Sequence, residues 1–391
     1  MIAFAMSALQ GIKVLDLTRL LPGPIGSLVL ADLGAQVDKI EDAGNGDYLR
    51  VSAAPVAGMS ASFHALNRGK RSLVLDLKKA EGAQVLLRLV EQYDVLFEQF
   101  RPGVLDRLGV GHSTLLERNP QLVVCALTGY GQTGPLQKRA GHDLNYMARA
   151  GLLGLQGPSS GPPQIPAFQL ADVSGGLWSV IAILAALRER DRTGRGAVLD
   201  IAMLESVIPF ATIGLSRLFG GEPTPERGRD SLSGGLAVYE AYATSDGEAV
   251  TFGALEPKFM MAFCQGVGFD ADMSLLYPGA HQEELKRKFS QIFASKTRAE
   301  WQAFNERHDC CIEPVLRPEE LYGDEQLAAR RVFAEYDTGE GRVGQFRTPV
   351  TPLYWQPGPA PKAGEHSRQI LDEAGFEAEE ITALETAGVI R

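Results

Sequence analysis

The stretch IKVLDLTRLLPGPIGSLVLADLGAQVDKIE, Ile12 to Glu41, decides the fold class. IKVLDL (Ile12 to Leu17) reads as a buried strand. PGPIGSLVLADLGA (Pro22 to Ala35) reads as a turn and a helix, and VDKIE (Val37 to Glu41) as the next strand. The same alternation continues outward through SLVLDL (Ser72 to Leu77), a helix from about Ala80 to Gln92, DVLFEQF (Asp94 to Phe100) and LVVCAL (Leu122 to Leu127). Short β-rich runs separated by helical ones are the mark of a parallel sheet flanked by helices. The expected class is α/β, with a large Rossmann-like, doubly wound domain.

Further along, LWSVIAILAALRER (Leu177 to Arg190) predicts a helix built from good formers without proline, followed by a strand, AVLDIAM (Ala197 to Met203). The Gly/Pro/charge-rich GGEPTPERGRD (Gly220 to Asp230) reads as a linker. Beyond it, strands at Ala237 to Ala243 and Ala249 to Gly253 flank TSDG, a hairpin signal, and helices follow to about Asp309. The expected organisation is a large domain over 1–203, a linker over 204–234, a smaller α+β domain over 235–312, a second linker over 313–347, and a return to the large domain over 348–391. The tail predicts two short amphipathic helices.

A formal charge of -10 leaves no basic face for nucleic acid, so an anionic ligand needs a local cluster of cations. Cys125, Cys264, Cys310 and Cys311 show no C-x-x-C spacing, and the adjacent pair is badly placed to share a tetrahedral metal. No metal is expected. The N-terminal MIAFAMSALQG lacks a basic n-region, and the longest apolar run, around Leu177 to Leu187, is too short for a membrane helix. A cytoplasmic protein with reduced thiols and no membrane association is the expectation.

The residues suited to chemistry concentrate between Gly129 and Gly176. GYGQTGP (Gly129 to Pro135) holds a literal G-x-G-x-x-G after a strand, but Pro135 follows the third glycine and no helix opens inside it. Close approach of some other ligand, or a plain turn, fits better than a dinucleotide. His142 stands at a helix start with Asp143, Asn145 and Tyr146 behind it. A lone histidine is commonly structural, yet it is also the side chain best suited to move protons near neutral pH. Asp172 precedes a long apolar helix, the ordinary place of an N-cap. A carboxylate there is expected to be kept ionised by the helix's positive end, with free N–H groups at Ser174, Gly175 and Gly176 available to a developing oxyanion. Arg68, Lys70 and Arg71 in NRGKRS, and Arg101 in FRPG, are either phosphate-binding cations at strand ends or solvated loop charges.

Taken together, IKVLDLTRLLPGPIGSLVLADLGAQVDKIE, NRGKRSLVLDLK, FRPGVLDRLG, LTGYGQTGP, AGHDLNY, LADVSGG and GALEPKF resemble the class III CoA-transferase (CaiB/BaiF) family, and within it the α-methylacyl-CoA racemases. The resemblance runs from about Leu9 to the end, with the motifs in family order. It implies an interlocked homodimer whose active site lies between the large domain of one subunit and the small domain of its partner. The family's common catalytic Asp falls on Asp172. The racemases' G-H-D-x-N-Y motif is intact at Gly141 to Tyr146, and the Glu of G-A-x-E-P falls on Glu256, where it is similar to a residue supporting the His. CoA-binding positions fall on Arg68, Lys70, Arg71, Arg101, the Gly129, Tyr130, Gly131, Gln132 and Gly134 loop, Asp143 and Tyr146. Where racemases commonly carry an Arg near the end of the second strand, this chain has Asp38-Lys39-Ile40-Glu41-Asp42.

The implied activity is inversion of the α-carbon of a 2-methylacyl-CoA by two bases, with CoA as substrate carrier and no other cofactor. The alternative is transfer of CoA between two carboxylic acids through an aspartyl-CoA thioester on Asp172, and a third reading is a non-catalytic CoA-binding protein. Met1 to Ala5 match nothing in the family and are expected to be dispensable, with Met6 as an alternative start.

Overall fold

A computed structural model describes residues 7–52 and 54–391 of the chain, so the Met1–Ala5 segment expected to be dispensable lies outside the described residues. Six strands, β1 (Lys13–Asp16), β2 (Gln36–Glu41), β3 (Arg71–Val74), β4 (Val95–Glu98), β5 (Val123–Thr128) and β6 (Ala197–Ala202), form one sheet in the order β3-β2-β1-β4-β5-β6. All neighbours pair in parallel. This is the doubly wound order, and its topological switch point falls between β1 and β4. β1, β4 and β5 are buried on both faces, which is why their sequence reads as near-continuous apolar runs. β6, at the edge, alternates in exposure.

Helix α1 (Pro22–Asp32) follows β1 with prolines in its first turn, where a missing N–H costs nothing. Helix α2 (Asp143–Arg149) is short, and α3 (Leu170–Thr193) is the longest helix among the described residues. It begins seven residues before the expected Leu177. Gly175 and Gly176 lie inside α3, Gly175 against Met203 and Leu127 and Gly176 where α3 crosses α1. A Cβ on Gly176 would meet the carbonyl oxygen of Pro22, and one on Gly26 would lie 2.9 Å from the Gly176 carbonyl oxygen. Packing at this crossing outweighs a propensity cost of roughly 1 kcal/mol per glycine. With 24 residues, and a mean hydropathy of 1.8 over an 18-residue window, α3 has the length and composition of a membrane span, yet it packs on α1 and β5 as a core helix.

The chain clusters into two units. The first holds the described residues up to Ala150, Phe168–Pro209 and Tyr322–Arg391; the second holds Gly151–Ala167 and Phe210–Leu321. Gly151–Ala167, inside the stretch read as large domain, therefore clusters with the second unit. The tail returns to the first unit as helices Ser367–Glu373 and Ala378–Thr386, whose Ile370, Leu371 and Ile381, with Val389 after them, join the core that holds Leu15 and Leu96 of the sheet. Ile390 makes an antiparallel bridge with Leu75, just beyond β3.

In the second unit, β7 (Tyr239–Ala243), β8 (Ala249–Gly253) and β9 (Ile312–Pro314) form an antiparallel sheet in the order β9-β8-β7. The β7–β8 turn is the predicted TSDG, with Gly247 at φ +79°. Helix α4 (Pro257–Val267) and helices Gln282–Phe293 and Arg298–His308 cover the sheet over an aromatic core that includes Phe252, Phe263, Phe289, Phe293 and Trp301.

Candidate active site

The Gly129–Gly134 loop leaves the carboxyl end of β5, and its shape is set by Tyr146. A Cβ on Gly129 would lie 2.5 Å from the Tyr146 hydroxyl oxygen, and that hydroxyl donates to the Gly141 carbonyl at 2.6 Å. Tyr130 meets Tyr146 edge-on, with ring centroids 5.2 Å apart. The Gly131 N–H donates to Thr128 Oγ1 at 2.9 Å, and the Gln132 N–H reaches both Asp200 oxygens at 3.0 Å. Since the next helix is α2, beginning at Asp143, no helix N-terminus lies within the glycine motif. One donor remains: Gln132 Nε2 is buried and has no partner among the described residues. A buried N–H without an acceptor is costly, so the loop suits a ligand that supplies one.

The N-termini of α2 and α3 meet beside this loop. His142 precedes α2 in extended conformation; its N–H donates to Asn145 Oδ1 at 3.0 Å, and its imidazole is exposed. Asp143 is buried, and its Oδ1 accepts the Ala171 N–H at 2.6 Å and the Asp172 N–H at 3.1 Å. The cap of α3 is therefore Asp143, not Asp172, which is the third residue of the helix.

Two expectations change with it. The N–H groups of Ser174, Gly175 and Gly176 lie within the helix, where they follow the intrahelical ladder rather than facing a ligand. Asp172 is also not held ionised: burial, and then the nearby Asp143 carboxylate, push its carboxyl up to about 7. Burial, Tyr130 and Asp172 push the Tyr146 hydroxyl up to about 12 while Arg101 pulls the other way, so all of these groups share one neighbourhood. A carboxyl poised near 7 is suited both to take and to give a proton.

A cavity of about 290 Å³ opens at the carboxyl ends of the strands around the switch point. Its lining includes Thr18, Lys39, Ile40, Leu75, Gln99 and Phe100, the position at which open α/β sheets bind ligands.

The sequence pattern of CoA-transferase family III matches residues 9–367. The chain belongs to this family. It is 37% identical over 387 residues to the α-methylacyl-CoA racemase of Mus musculus, covering 98% of this chain and 97% of that enzyme. It is 33% identical over 384 residues to the succinate–glutarate CoA-transferase of Agrobacterium fabrum (strain C58 / ATCC 33970), covering 93% and 95%. A crystal structure of a CaiB/BaiF family protein from Brucella suis matches with a TM-score of 0.79 and 30% identity, over 94% of this chain and 99% of that one. The protein is an enzyme of CoA-transferase family III, either a racemase or a CoA-transferase, and acts on CoA thioesters without a further cofactor. Among the described residues, no cluster of His, Cys, Asp and Glu is placed to hold a metal.

Within this family III fold, three of the expected phosphate cations are taken up by carboxylates. Arg68 pairs with Asp32 through both nitrogens of its fork. Lys70 is buried among Ser27 Oγ (2.7 Å), Asn67 Oδ1 (3.0 Å), the Pro24 carbonyl (3.1 Å) and Asp16 Oδ2 (3.3 Å). Arg71 forks onto Asp38 at 2.6 and 2.8 Å and also reaches Glu373. Their charges are paired within the chain, where they were expected to face a phosphate. Arg101 is exposed and forms no ion pair among the described residues.

Two cations missed in the sequence, Arg19 and Lys78, line the switch-point cavity. Arg19 lies over the Tyr48 ring at 4.9 Å, and Lys78 holds Asp42 at 3.1 Å in the open. Both directly follow strand runs, DLTR and LDLK, so strand-end position was the available signal. In the second unit, Glu256 sits at the N-cap of α4 with its side chain exposed.

Proposed function

We propose that the protein is a 2-methylacyl-CoA racemase in which Asp172 and His142 are the two bases. The single observation that carries this reading is the Asp172 carboxyl at about 7. A nucleophile that forms an anhydride or thioester works as the free carboxylate, whereas a proton relay needs a group populated in both forms at the working pH. In one direction Asp172 takes the α-proton as the C–H bond breaks and the electron pair moves into the enolate. His142 then gives a proton to the opposite face, and the thioester C–S bond stays intact throughout. The reverse direction exchanges the roles. The thioester carbonyl acidifies the α-C–H, and CoA's distant phosphates supply binding energy that positions it.

Arg101, Arg19 and Lys78, with the Gly129–Gly134 loop and its Gln132 amide, are the groups assigned to the CoA moiety. Tyr130 and Tyr146 shape that loop. Across the proposed dimer interface, Glu256 is assigned as the carboxylate that orients and supports the His142 imidazole. A homodimer is part of the proposal: Leu177, Trp178 and Ile181 of α3 are exposed, as is Val198 on edge strand β6. Sedimentation equilibrium at low micromolar concentration is expected to give twice 42.2 kDa, and an active monomer contradicts it.

The second reading, CoA transfer through Asp172, is favoured by the near-full-length similarity to a succinate–glutarate CoA-transferase. Chiral chromatography of one epimer of 2-methylacyl-CoA incubated with enzyme alone tests the choice. Approach to equal amounts of both epimers supports the racemase. Turnover that begins only when a second carboxylic acid is added, with CoA appearing on that acid, supports the transferase.

A further inference from the structure

We propose that Asp143 is a positioning residue for catalysis that acts on Asp172 through its charge as well as by capping α3, and so fixes which proton form Asp172 holds when substrate arrives. The inference rests on the acid–base reading of Asp172 and deepens it. Asp143 is buried, and its carboxylate is anchored by two backbone N–H groups, one of them belonging to Asp172 itself. Those donors fix the position of the Asp143 carboxyl at the start of α3, next to Asp172. Neighbouring carboxylates do not both ionise readily, and Asp143 adds to burial in raising the Asp172 carboxyl. Asp172 has no hydrogen bond from a side chain among the described residues.

No other group on the elements packed against α3 competes for this role. On α2, His142 and Arg149 flank Asp143 and Tyr146. On α1, Asp32 is paired with Arg68. Cys125 on β5, Asp200 on β6 and Glu205 just after it complete the set, and the charges of α3 itself, Arg188 to Arg192, lie at its far end. Among them Asp143 alone displaces the Asp172 titration, adding to burial.

A capping role alone requires only an acceptor, whereas the proposed role requires a charge. Asp143→Asn keeps the acceptor oxygen and removes the charge, and Asp143→Ser provides a shorter neutral acceptor should the amide fold poorly. Carbon-13 NMR of protein labelled at aspartate carboxyls reads Asp172 directly, the signal being assigned by its loss in Asp172→Asn. The expected result is a wild-type midpoint near neutrality that falls by about one pH unit or more in the neutral variants. An unmoved midpoint in a folded neutral variant overturns the proposal, as does a wild-type midpoint in the usual carboxylate range. Parallel α-proton exchange in D2O separates the two ideas. A shifted midpoint in an enzyme that exchanges no α-proton retains the coupling and removes the racemase reading, and exchange with an unmoved midpoint does the opposite.

Discussion

Asp16 and Asp172 are both carboxylates of the first unit, and their surroundings are opposite in sign. At the end of β1, burial alone would raise Asp16, but Lys70, Lys39, Ser27 and Thr18 together hold its carboxyl below the ordinary range. Lys39 in turn pairs with Asp47 at 2.9 Å, and Glu41 pairs with Arg50 and accepts from Ser72. Each buried charge there has an opposite one beside it. At the start of α3, the charge that shifts Asp172 is another carboxylate, Asp143. Matched buried charges are architecture, because removing one partner strands the other. A buried acid left facing its own kind is an arrangement that folding does not favour, and such sites are where function is concentrated.

The comparison is broken most severely by Asp172→Asn. It is expected to lower α-proton exchange by about a thousandfold or more, through loss of one general base, with folding intact. At the other region, Lys70→Met leaves Asp16 buried without its nearest cation and is expected to cost about 3–5 kcal/mol of stability in urea denaturation. Residual activity there should follow the folded fraction. Equal losses of stability from the two substitutions would erase the distinction between the regions.

Two smaller effects sharpen it. Glu256→Gln is expected to lower kcat by about 10–100-fold while CoA affinity, read by calorimetry, stays near wild type. Weakened CoA binding with unchanged kcat removes the assigned role.

The second effect concerns pH. The folded Asp172 carboxyl stands at about 7 against an ordinary value of 3.8, so the native state binds the proton more tightly than the unfolded one. Its contribution to stability is complete below about 4 and is lost as pH rises through 7. Asp172→Asn, which cannot ionise, should therefore be more stable than wild type at pH 8, by on the order of 1–3 kcal/mol, and gain little at pH 4. A gain of the same size at both pH values would remove the electrostatic explanation.

Much of the fold was legible in the sequence because strand–helix alternation is a local signal. All six strands of the parallel sheet lie within the runs that predicted them or one residue beyond. Whatever depends on distant partners was not legible. Asp172 reads as an N-cap because the residue that caps α3, Asp143, lies 29 positions away. Arg68, Lys70 and Arg71 read as free cations because Asp32, Asp16 and Asp38 come from α1, β1 and β2. Ser174, Gly175 and Gly176 read as offering free N–H groups because the early start of α3, at Leu170, depends on that same distant cap. His142 and Glu256 stood out through the family resemblance, since periodicity gives a lone His or an N-terminal Glu no special weight.

The most direct test of the central claim is incubation of the enzyme with (2R)-2-methylacyl-CoA in D2O, followed by mass spectrometry of both ligand and protein, with and without hydroxylamine. If Asp172 moves protons, the ligand gains one deuterium at the α-carbon with its thioester whole, and the peptide carrying Asp172 keeps its mass. An unlabelled ligand together with an acyl, CoA or hydroxamate adduct on Asp172 would contradict the account and establish transfer chemistry at that carboxylate instead.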